Sequence, residues 1–445
     1  MSEREQWGSR AGFVLATIGA AVGLGNIWRF SYVAGENGGA AFLLVYLICV
    51  LLIGLPLVIS ELAVGRQAQG DAVAAFQRSG DGSLWRHFGW LGVLGAFAVL
   101  SYYAVIAGWA LKYFVGAATG VLWQTAAEGY GSYFTTFISN TGEPIAWQFG
   151  MLAASAYIVA GGVQKGIETV NRWLMPLLGT IIICLAIFAI SLDGASRGLT
   201  FMFSPDWSAL LRPSVYVAAL GQAFFSLGVG MAVFVTYGSY MPRTFGLPGS
   251  AAIVTVGDTL FAVVAGMAIF PAVFAFGIDP TAGPELAFIT LPQVFLKMPA
   301  GDIAGTVFFF LLAAAALTSM VALLEVPVSV AVHRLKMRRW AAVGPTAVLI
   351  FIAGIPSAMS FGLLKGIRIG DHGILDAIDA GVSNFLLPAS GAAIALYLGW
   401  HLKGDLARAA AELEGAWFGR VWCWLIRFLV PAAISLILLQ AASTL

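Results

Sequence analysis

Long apolar runs recur along almost the whole chain, and they limit the possible folds more than any other feature of the sequence. Runs long enough to cross a hydrocarbon core of about 30 Å lie at residues 11–34, 40–64, 88–119, 147–162, 171–192, 214–240, 249–276, 302–332, 341–360, 374–400 and 418–442. Because 60% of the 445 residues are hydrophobic and 10% are charged, the composition argues against a soluble globular protein. We therefore predict an all-α polytopic membrane protein with about eleven transmembrane helices in one domain, residues 1–445.

The basic residues of the loops indicate how the chain is oriented in the membrane. Loops on the same side as the N-terminus carry most of the lysines and arginines, among them Arg66, Lys165, Arg243 and Arg338. The positive-inside rule therefore predicts a cytoplasmic N-terminus. The lipid bilayer is the expected partner, and the net charge of +1 gives no sign of a nucleic-acid partner.

The first run is interrupted by glycines and polar residues. Residues 19–30 read GAAVGLGNIWRF, which places Gly19, Gly23 and Gly25 within the run and Asn26 and Arg29 directly after them. Unwound backbone in hydrocarbon leaves amides and carbonyls unpaired unless they line a cavity or bind a ligand. Freed carbonyls suit a cation such as sodium, and the positive amino end of a half-helix attracts a carboxylate. The alternative is a packed kink that binds nothing.

A second break occurs in the sixth run. Residues 221–240 read GQAFFSLGVGMAVFVTYGSY, and Gly228 and Gly230 follow Ser226 within four residues. Each glycine costs a helix up to about 1 kcal/mol relative to alanine. If the first five and the next five runs form two repeats, both breaks fall in the first helix of a repeat, which is the pattern of a transporter with a site near the membrane midplane.

Two further runs place oxygen atoms where a cation could bind. Asp258 lies about ten residues into the seventh run, where a carboxylate costs at least about 2.5 to 3.5 kcal/mol and needs a cation nearby. Thr318 and Ser319 lie side by side in the eighth run, within the sequence AALTS. Taken alone, these two hydroxyls are better explained by hydrogen bonds to their own helix backbone, and only the combination with the other features favours a cation site.

These segments resemble the neurotransmitter:sodium symporter family, in particular its bacterial amino-acid transporters with the fold of the bacterial leucine transporter. The likeness runs from Trp7 to about the tenth run, and AVGLGNIWRF, GQAFFSLG and LTS are specific in combination. It implies two inverted repeats of five helices, residues 1–195 and 210–400, with broken first and sixth helices and an additional helix at 415–445. It also implies a multi-pass protein of the bacterial inner (plasma) membrane that works by alternating access.

The resemblance implies up to two sodium sites made of oxygen atoms, which suit a hard cation. The ligands implied for the first site are the carbonyl of Ala21, the side chain of Asn26, the hydroxyl and carbonyl of Ser226, Asp258 and the substrate carboxylate. The ligands implied for the second site are the carbonyls of Gly19, Val22 and Ala315 and the hydroxyls of Thr318 and Ser319. One or two sodium ions are therefore the expected cofactor.

The implied substrate site lies around the two breaks, at Ala21, Leu24, Gly25, Val99, Tyr103, Phe225, Ser226, Gly228, Met231, Ser319 and Leu323. Monoamine transporters of the family have an aspartate at the position of Gly23, so its absence here favours a substrate that carries its own carboxylate. Gly228 leaves room and Met231 is adaptable in shape. We therefore expect a neutral, medium-to-large hydrophobic amino acid. The alternative is another small zwitterion, namely taurine, betaine, glycine or alanine.

Asp258 also bears on anion dependence. Chloride-dependent members of the family have a neutral asparagine at this position and bind chloride near residues that match Tyr46, Gln222 and Ser226. The other acidic position known in the family corresponds to Ala262 here. The resemblance therefore implies that a built-in carboxylate balances the sodium charge and that chloride is dispensable.

The resemblance also implies gates on both sides of the site. Arg29 and Asp379 match the extracellular pair, with Phe225 and Tyr103 as a lid beneath. Arg4 and Trp7 match the cytoplasmic N-terminal latch, and Tyr240 its support. His333 occupies the position where relatives have the aspartate that pairs with this arginine, so the latch is weaker or its acidic partner lies elsewhere.

Other classes of function fit the sequence less well. Cys49, Cys184 and Cys423 fall within apolar runs, and the four histidines show neither the spacing of a metal site nor a nucleophile–base pair. We therefore do not expect an enzyme. A channel is also disfavoured, because the candidate binding residues are spread over unlike runs instead of forming a ring.

Overall fold

The computed structural model describes residues 5–77, 84–125, 129–204, 206–277, 286–402, 404–415 and 417–443. In these residues, eight helices are long and apolar enough to cross a membrane: Ala40–Ala68, Phe88–Ala118, Val163–Ile190, Leu247–Ala275, Gly301–Arg334, Arg339–Ala358, Ile374–His401 and Trp417–Ala442. One bent pair, Arg10–Ala21 and Gly25–Glu36, forms a further span. The remaining runs correspond to Glu143–Ala160 and to the pair Pro213–Leu227 and Val233–Ser239. The prediction of an all-α membrane protein is confirmed, and we number these spans 1 to 11 in chain order.

Several helices extend beyond the apolar runs that predicted them. Span 4 begins at Glu143 and span 5 at Val163, where the runs were placed at 147 and 171. Charged residues at these ends are satisfied by local partners, because Glu143 pairs with Lys112 of span 3. Apolar composition therefore marked the middle of each helix better than its ends.

Span 1 is broken in the middle, and its halves are bent by 53°. The first half begins with Ser9, whose hydroxyl caps the helix by accepting the amide of Gly12 at 3.0 Å. It ends at Ala21, because Val22 has an extended backbone. The second half resumes at Gly25, and the intervening residues are buried.

Span 6 is broken by left-handed backbone. Gly228 and Gly230 have φ values of +70° and +87°, and Ala232 has a φ of +54°. Residues in this conformation cannot continue a right-handed helix. The freed amide of Gly230 donates to Glu61 Oε1 of span 2 at 2.6 Å, which satisfies one of the backbone groups left by the break.

The remaining elements are short and connect the spans. Among the described residues they are the helices Ala74–Gln77, Leu84–His87, Leu122–Gln124, Tyr130–Ser139, Ser196–Phe203, Trp207–Leu211, Thr290–Lys297 and Gly404–Ala410. A two-residue antiparallel ladder joins Arg368–Ile369 to His372–Gly373, with Arg368 opposite Gly373.

The centre of the bundle is formed by spans 3 and 8, which make the most extensive helix pair among the described residues. Both broken spans pack near this pair, so that their irregular backbone is enclosed by protein. Large apolar side chains on the outer spans remain exposed, such as Leu51 at 61% and Ile187 at 64%. This distribution is the one expected when lipid covers the outside and the polar groups lie inside.

Candidate functional site

A buried polar cluster joins the breaks in spans 1 and 6 to span 7. The side-chain amide of Asn26 donates to Asp258 Oδ1 at 2.7 Å, to the Asp258 carbonyl at 3.1 Å and to Ser226 Oγ at 3.0 Å. Ser226 donates in turn to Asp258 Oδ2 at 2.9 Å. All three side chains are at most 1% exposed. A carboxylate, an amide oxygen and a hydroxyl are thus gathered where no lysine or arginine lies within salt-bridge distance of Asp258 in the described residues.

The same cluster is supported by two residues around it. Tyr46 donates its hydroxyl to Ser226 at 3.3 Å, and the side chain of Gln222 donates to the carbonyl of Gly25 at 2.9 Å. Ala262 is buried one turn beyond Asp258 and brings no charge. Of Tyr46, Gln222, Ser226, Asp258 and Ala262, only Asp258 therefore brings an acid to the first proposed sodium site.

A second set of oxygens lies between spans 1 and 8. Thr318 donates to the carbonyl of Ala315 at 2.8 Å, as the backbone-bonding alternative requires. Ser319 differs, because its hydroxyl also crosses to the carbonyl of Val22 at 3.2 Å. The break in span 1 thus lies directly against the Thr318–Ser319 turn, and both hydroxyl oxygens retain lone pairs for a cation.

A cavity of about 40 Å³ lies beside these oxygens. Its lining comprises Ala20, Ala21, Gly23, Gly25, Val99, Tyr103, Phe225, Ser226, Leu227, Gly228, Met231, Val233, Ser319 and Leu323. All the residues expected at the substrate site lie on this lining except Leu24. The amide of Leu24 instead donates to the Tyr103 hydroxyl at 3.0 Å, which leaves Leu24 behind the cavity wall.

Gly23 has no space for a side chain. A Cβ atom at this position would lie 2.4 Å from the Ser319 hydroxyl and 2.7 Å from the Tyr103 hydroxyl. Gly228 is the opposite case, because a Cβ atom there would meet nothing within 4 Å. The cavity is therefore closed around position 23 and open at position 228.

Phe225 separates this cavity from a larger one of about 410 Å³, since it lines both. The guanidinium of Arg29 lies 4.2 Å from the centre of the Phe225 ring, over its face. Arg29 and Asp379, expected as a gate pair, are not within ion-pair distance in this structure. Asp379 instead accepts hydrogen bonds from Tyr102 at 2.7 Å and from Ser383 at 2.9 Å. The wall between the two cavities is thus formed by the Phe225 ring, with the Arg29 cation over its face.

The opposite end, which holds the N-terminus, is closed by a network around Trp7. The Trp7 indole donates to the Tyr237 carbonyl at 2.9 Å, and the Trp7 amide donates to the Tyr240 carbonyl at 3.2 Å. The Tyr240 hydroxyl donates to Glu325 at 2.7 Å, and Glu325 pairs with Arg339 of span 9. The structure therefore joins Trp7 and Tyr240 in one hydrogen-bonded network at this end of the bundle.

Arg4, expected in the cytoplasmic latch, lies outside the described residues. His333 points instead to Asp71, with its Nδ1 atom 2.9 Å from Asp71 Oδ2, and Arg334 donates to Asp71 Oδ1 at 3.0 Å. The fully buried acid of span 8 is Glu325, two turns before His333. Glu5 is a second acid on this side, and it pairs with Arg339 at 3.0 Å.

Sequence reasoning missed several buried polar groups. Glu61 and Glu325 are fully buried within spans 2 and 8, and Glu168 is 2% exposed at the start of span 5. The argument that identified Asp258, that a carboxylate in an apolar run needs a partner, applies equally to Glu61 and Glu325. Glu168 and Asn171 lie near the edge of the fifth run and carried no comparable signal.

Comparisons with known proteins agree with this geometry. The model of the sodium:neurotransmitter symporter family matches residues 4–136 and 132–442. An uncharacterized sodium-dependent transporter of Bacillus subtilis, YhdH, is 39% identical over 99% of this chain and 98% of its own length. An uncharacterized sodium-dependent transporter of Haemophilus influenzae is 34% identical over 98% of both chains.

A solved structure, MhsT in complex with L-phenylalanine, has the same fold. It superposes with a TM-score of 0.92, is 50% identical, and the match covers 98% of this chain and 100% of that one. The chain therefore belongs to the sodium:neurotransmitter symporter family and is a sodium-dependent membrane symporter, not an enzyme.

Proposed function

We propose that this symporter imports a neutral, medium-to-large hydrophobic amino acid together with one or two sodium ions. The observation that carries the proposal is the position of the cavity, which has apolar walls and directly adjoins the Asn26–Asp258–Ser226 cluster. A substrate carboxylate at this junction would complete the shell of a sodium ion, while its side chain would lie among Val99, Phe225 and Leu323. The complex of MhsT with L-phenylalanine supports this choice of substrate.

The break in span 1 supports recognition of a carboxylate. The second half of the span begins at Gly25, and helix N-termini carry a partial positive charge. Tyr103, which lines the cavity, offers a hydroxyl on the same side. Position 23 has no space for an acid, and the cavity lining contains no carboxylate that could pair with the amine of a substrate. This combination favours an amino acid over a monoamine.

Asp258 supports transport without chloride. Its two carboxylate oxygens accept from Asn26 and Ser226, so the negative charge lies within the proposed first sodium site. An anion bound near Tyr46, Gln222 and Ser226 would be close to this charge and would be repelled. The chain therefore supplies from its own sequence the charge that chloride supplies in other members of the family.

The two closed sides of the cavity support alternating access. Phe225 and Arg29 close one side, while Trp7, Tyr240 and Glu325 close the other. We expect the N-terminal side to face the cytoplasm of a bacterial cell, with the protein in the plasma membrane. The moving parts would be the two inverted repeats, residues 1–195 and 210–400, with the helix at 415–445 outside them.

Uptake into proteoliposomes tests the proposal. Labelled L-phenylalanine and L-leucine should accumulate when sodium outside exceeds sodium inside, and should not accumulate when choline replaces sodium. Glycine, alanine, taurine and betaine serve as competitors. Strong competition by taurine or betaine with none by leucine or phenylalanine would contradict the proposed substrate, and equal uptake in choline would contradict sodium coupling of this substrate.

A further inference from the structure

Asn171 of span 5 has a buried amide oxygen that no donor uses. The residue is 1% exposed, and its Nδ2 atom donates to the carbonyl of Ile167 at 2.9 Å. Its Oδ1 atom has no hydrogen-bond partner among the described residues. Exchanging Nδ2 and Oδ1 of Asn171 would place Oδ1 against the Ile167 carbonyl. Both atoms are acceptors and could not form a hydrogen bond, so this contact fixes the orientation of the amide. An unused oxygen in such a position costs free energy unless something binds it.

This oxygen lies against Gly19, two residues before the first half of span 1 ends. A Cβ atom on Gly19 would be only 2.1 Å from Asn171 Oδ1 and 3.0 Å from the sulfur of Met175. Only glycine at position 19 therefore lets the amide oxygen come this close to the backbone of span 1. The carbonyl of Gly19 is a proposed ligand of the second sodium ion, and spans 1, 5 and 8 pack against one another in pairs.

The neighbouring acid does not share this role. Glu168 lies three residues before Asn171, and its carboxylate accepts from the Gly8 amide at 2.7 Å, from Ser9 at 2.8 Å and from Arg172 at 2.7 Å. These donors already use both of its oxygens. Asn171 is thus a buried polar side chain of span 5 that lies against Gly19 with an acceptor still available in the described structure.

We propose that Asn171 supplies an additional oxygen to the second sodium site, on the side that faces span 5. This inference rests on the proposed sodium-coupled function and adds a ligand to the set of Gly19, Val22, Ala315, Thr318 and Ser319. Sodium is a hard cation that takes carbonyl-type oxygens, and an amide oxygen binds it without adding a charge that would have to be neutralised on release.

The test compares variants at position 171 with a matched variant elsewhere. Asn171→Leu removes the oxygen at similar volume, and Asn171→Asp keeps an oxygen and adds charge. Gln148→Leu is the control. Gln148 is also fully buried, donates to one backbone carbonyl, that of Phe351, and has an unused Oε1 atom. It packs between spans 3 and 9, away from the proposed ion site. The readout is the sodium concentration that gives half-maximal equilibrium binding of labelled L-phenylalanine to purified protein.

We expect Asn171→Leu to raise this concentration about three- to tenfold, as for the loss of one polar contact. Asn171→Asp should lower it or leave it within about twofold, since an oxygen is kept, and Gln148→Leu should leave it unchanged. If Asn171→Leu does not fold, Asn171→Ala replaces it with the same expectation. An unchanged sodium dependence in the leucine or alanine variant, or an equal rise in the aspartate variant, overturns the role of Asn171. Sodium-independent binding in the unmodified protein would instead overturn the proposed function.

Discussion

Asn26 and Asp258 are 232 residues apart in the chain, yet the amide of the first donates to the carboxylate of the second at 2.7 Å. This contact joins the break of span 1 to the middle of span 7 in a region from which solvent is excluded. The carboxylate has no basic partner within salt-bridge distance in the described residues, so its charge is available to a bound cation.

Removing the charge of Asp258 should make transport depend on chloride. Sodium-driven uptake by the unmodified protein should be equal in chloride and in gluconate. Asp258→Asn should lose roughly tenfold or more in gluconate, because a buried sodium ion would lack a counter-charge, and chloride should restore part of this loss. Asp206→Asn, at an exposed position, is the control. Chloride dependence in the unmodified protein would remove the basis for this assignment.

Removing oxygens from the two proposed sodium sites should weaken sodium binding without unfolding the protein. Asn26→Ala affects the first site and Thr318→Val affects the second at nearly constant volume. Each should raise the sodium concentration for half-maximal uptake by about three- to tenfold, as for one polar contact. Ser435→Ala, an exposed hydroxyl of span 11 that bonds its own helix, is the control. Equal sodium dependence in all four proteins would argue against both sites.

A side chain at position 23 should close the substrate site. Gly23→Ala places a methyl group within 2.4 Å of the Ser319 hydroxyl and 2.7 Å of the Tyr103 hydroxyl, so one of them must move. We expect substrate affinity to fall by about tenfold or more, in line with the 1 to 3 kcal/mol typical of an overpacked site. Gly221→Ala is the control, because nothing lies within 4 Å of its added methyl group. Binding of labelled L-phenylalanine measures the effect, and equal affinity in both variants would mean that the crowded atoms do not touch the substrate.

A larger residue at position 228 should shift selectivity toward small substrates. Gly228→Ser adds two heavy atoms at the open end of the cavity, and it should lower uptake of phenylalanine relative to alanine by about tenfold to two-hundredfold. Since Gly228 has a φ of +70°, any side chain there also strains the backbone. Gly228→Ala carries the same strain with less volume and so separates the two effects. A phenylalanine-to-alanine ratio that is unchanged in both variants would show that position 228 does not face the substrate side chain.

Breaking the Glu325–Arg339 pair should loosen the N-terminal side of the bundle. Glu325→Ala leaves Arg339 without its buried partner and removes the acceptor of Tyr240, a change that typically costs about 3 to 5 kcal/mol. Glu5 still pairs with Arg339, so the loss should be local. We expect faster amide hydrogen exchange in residues 7–21 and unchanged exchange in span 11. Arg408→Ala is the control, because this partly exposed arginine lies in the short helix Gly404–Ala410 and pairs with Asp405 instead of Glu325. Slow exchange in residues 7–21 of Glu325→Ala would mean that Trp7 alone holds this side closed.

The sequence determined by itself which segments cross the membrane and where two of them break. Apolar runs are a local property, and glycines at 23, 25, 228 and 230 weaken a helix whatever surrounds it. The motif residues of spans 1, 6 and 8 also sufficed to indicate an oxygen-lined site, and all but Leu24 of the expected substrate residues lie on one cavity. The position of Leu24 could not be read from the chain, because it depends on a hydrogen bond to Tyr103 from another span.

Only the tertiary structure decided which donor pairs with each buried acid. Glu61 with Gly230, Glu325 with Tyr240 and Asp71 with Arg334 are separated by 169, 85 and 263 residues, and no local pattern specifies such pairs. An acid within an apolar run indicates that a partner is needed, since an unpaired charge in hydrocarbon is too costly. The identity of the donor that pairs with each acid depends on how the helices pack. For the same reason, the free oxygen of Asn171 became visible only once span 5 lay against Gly19.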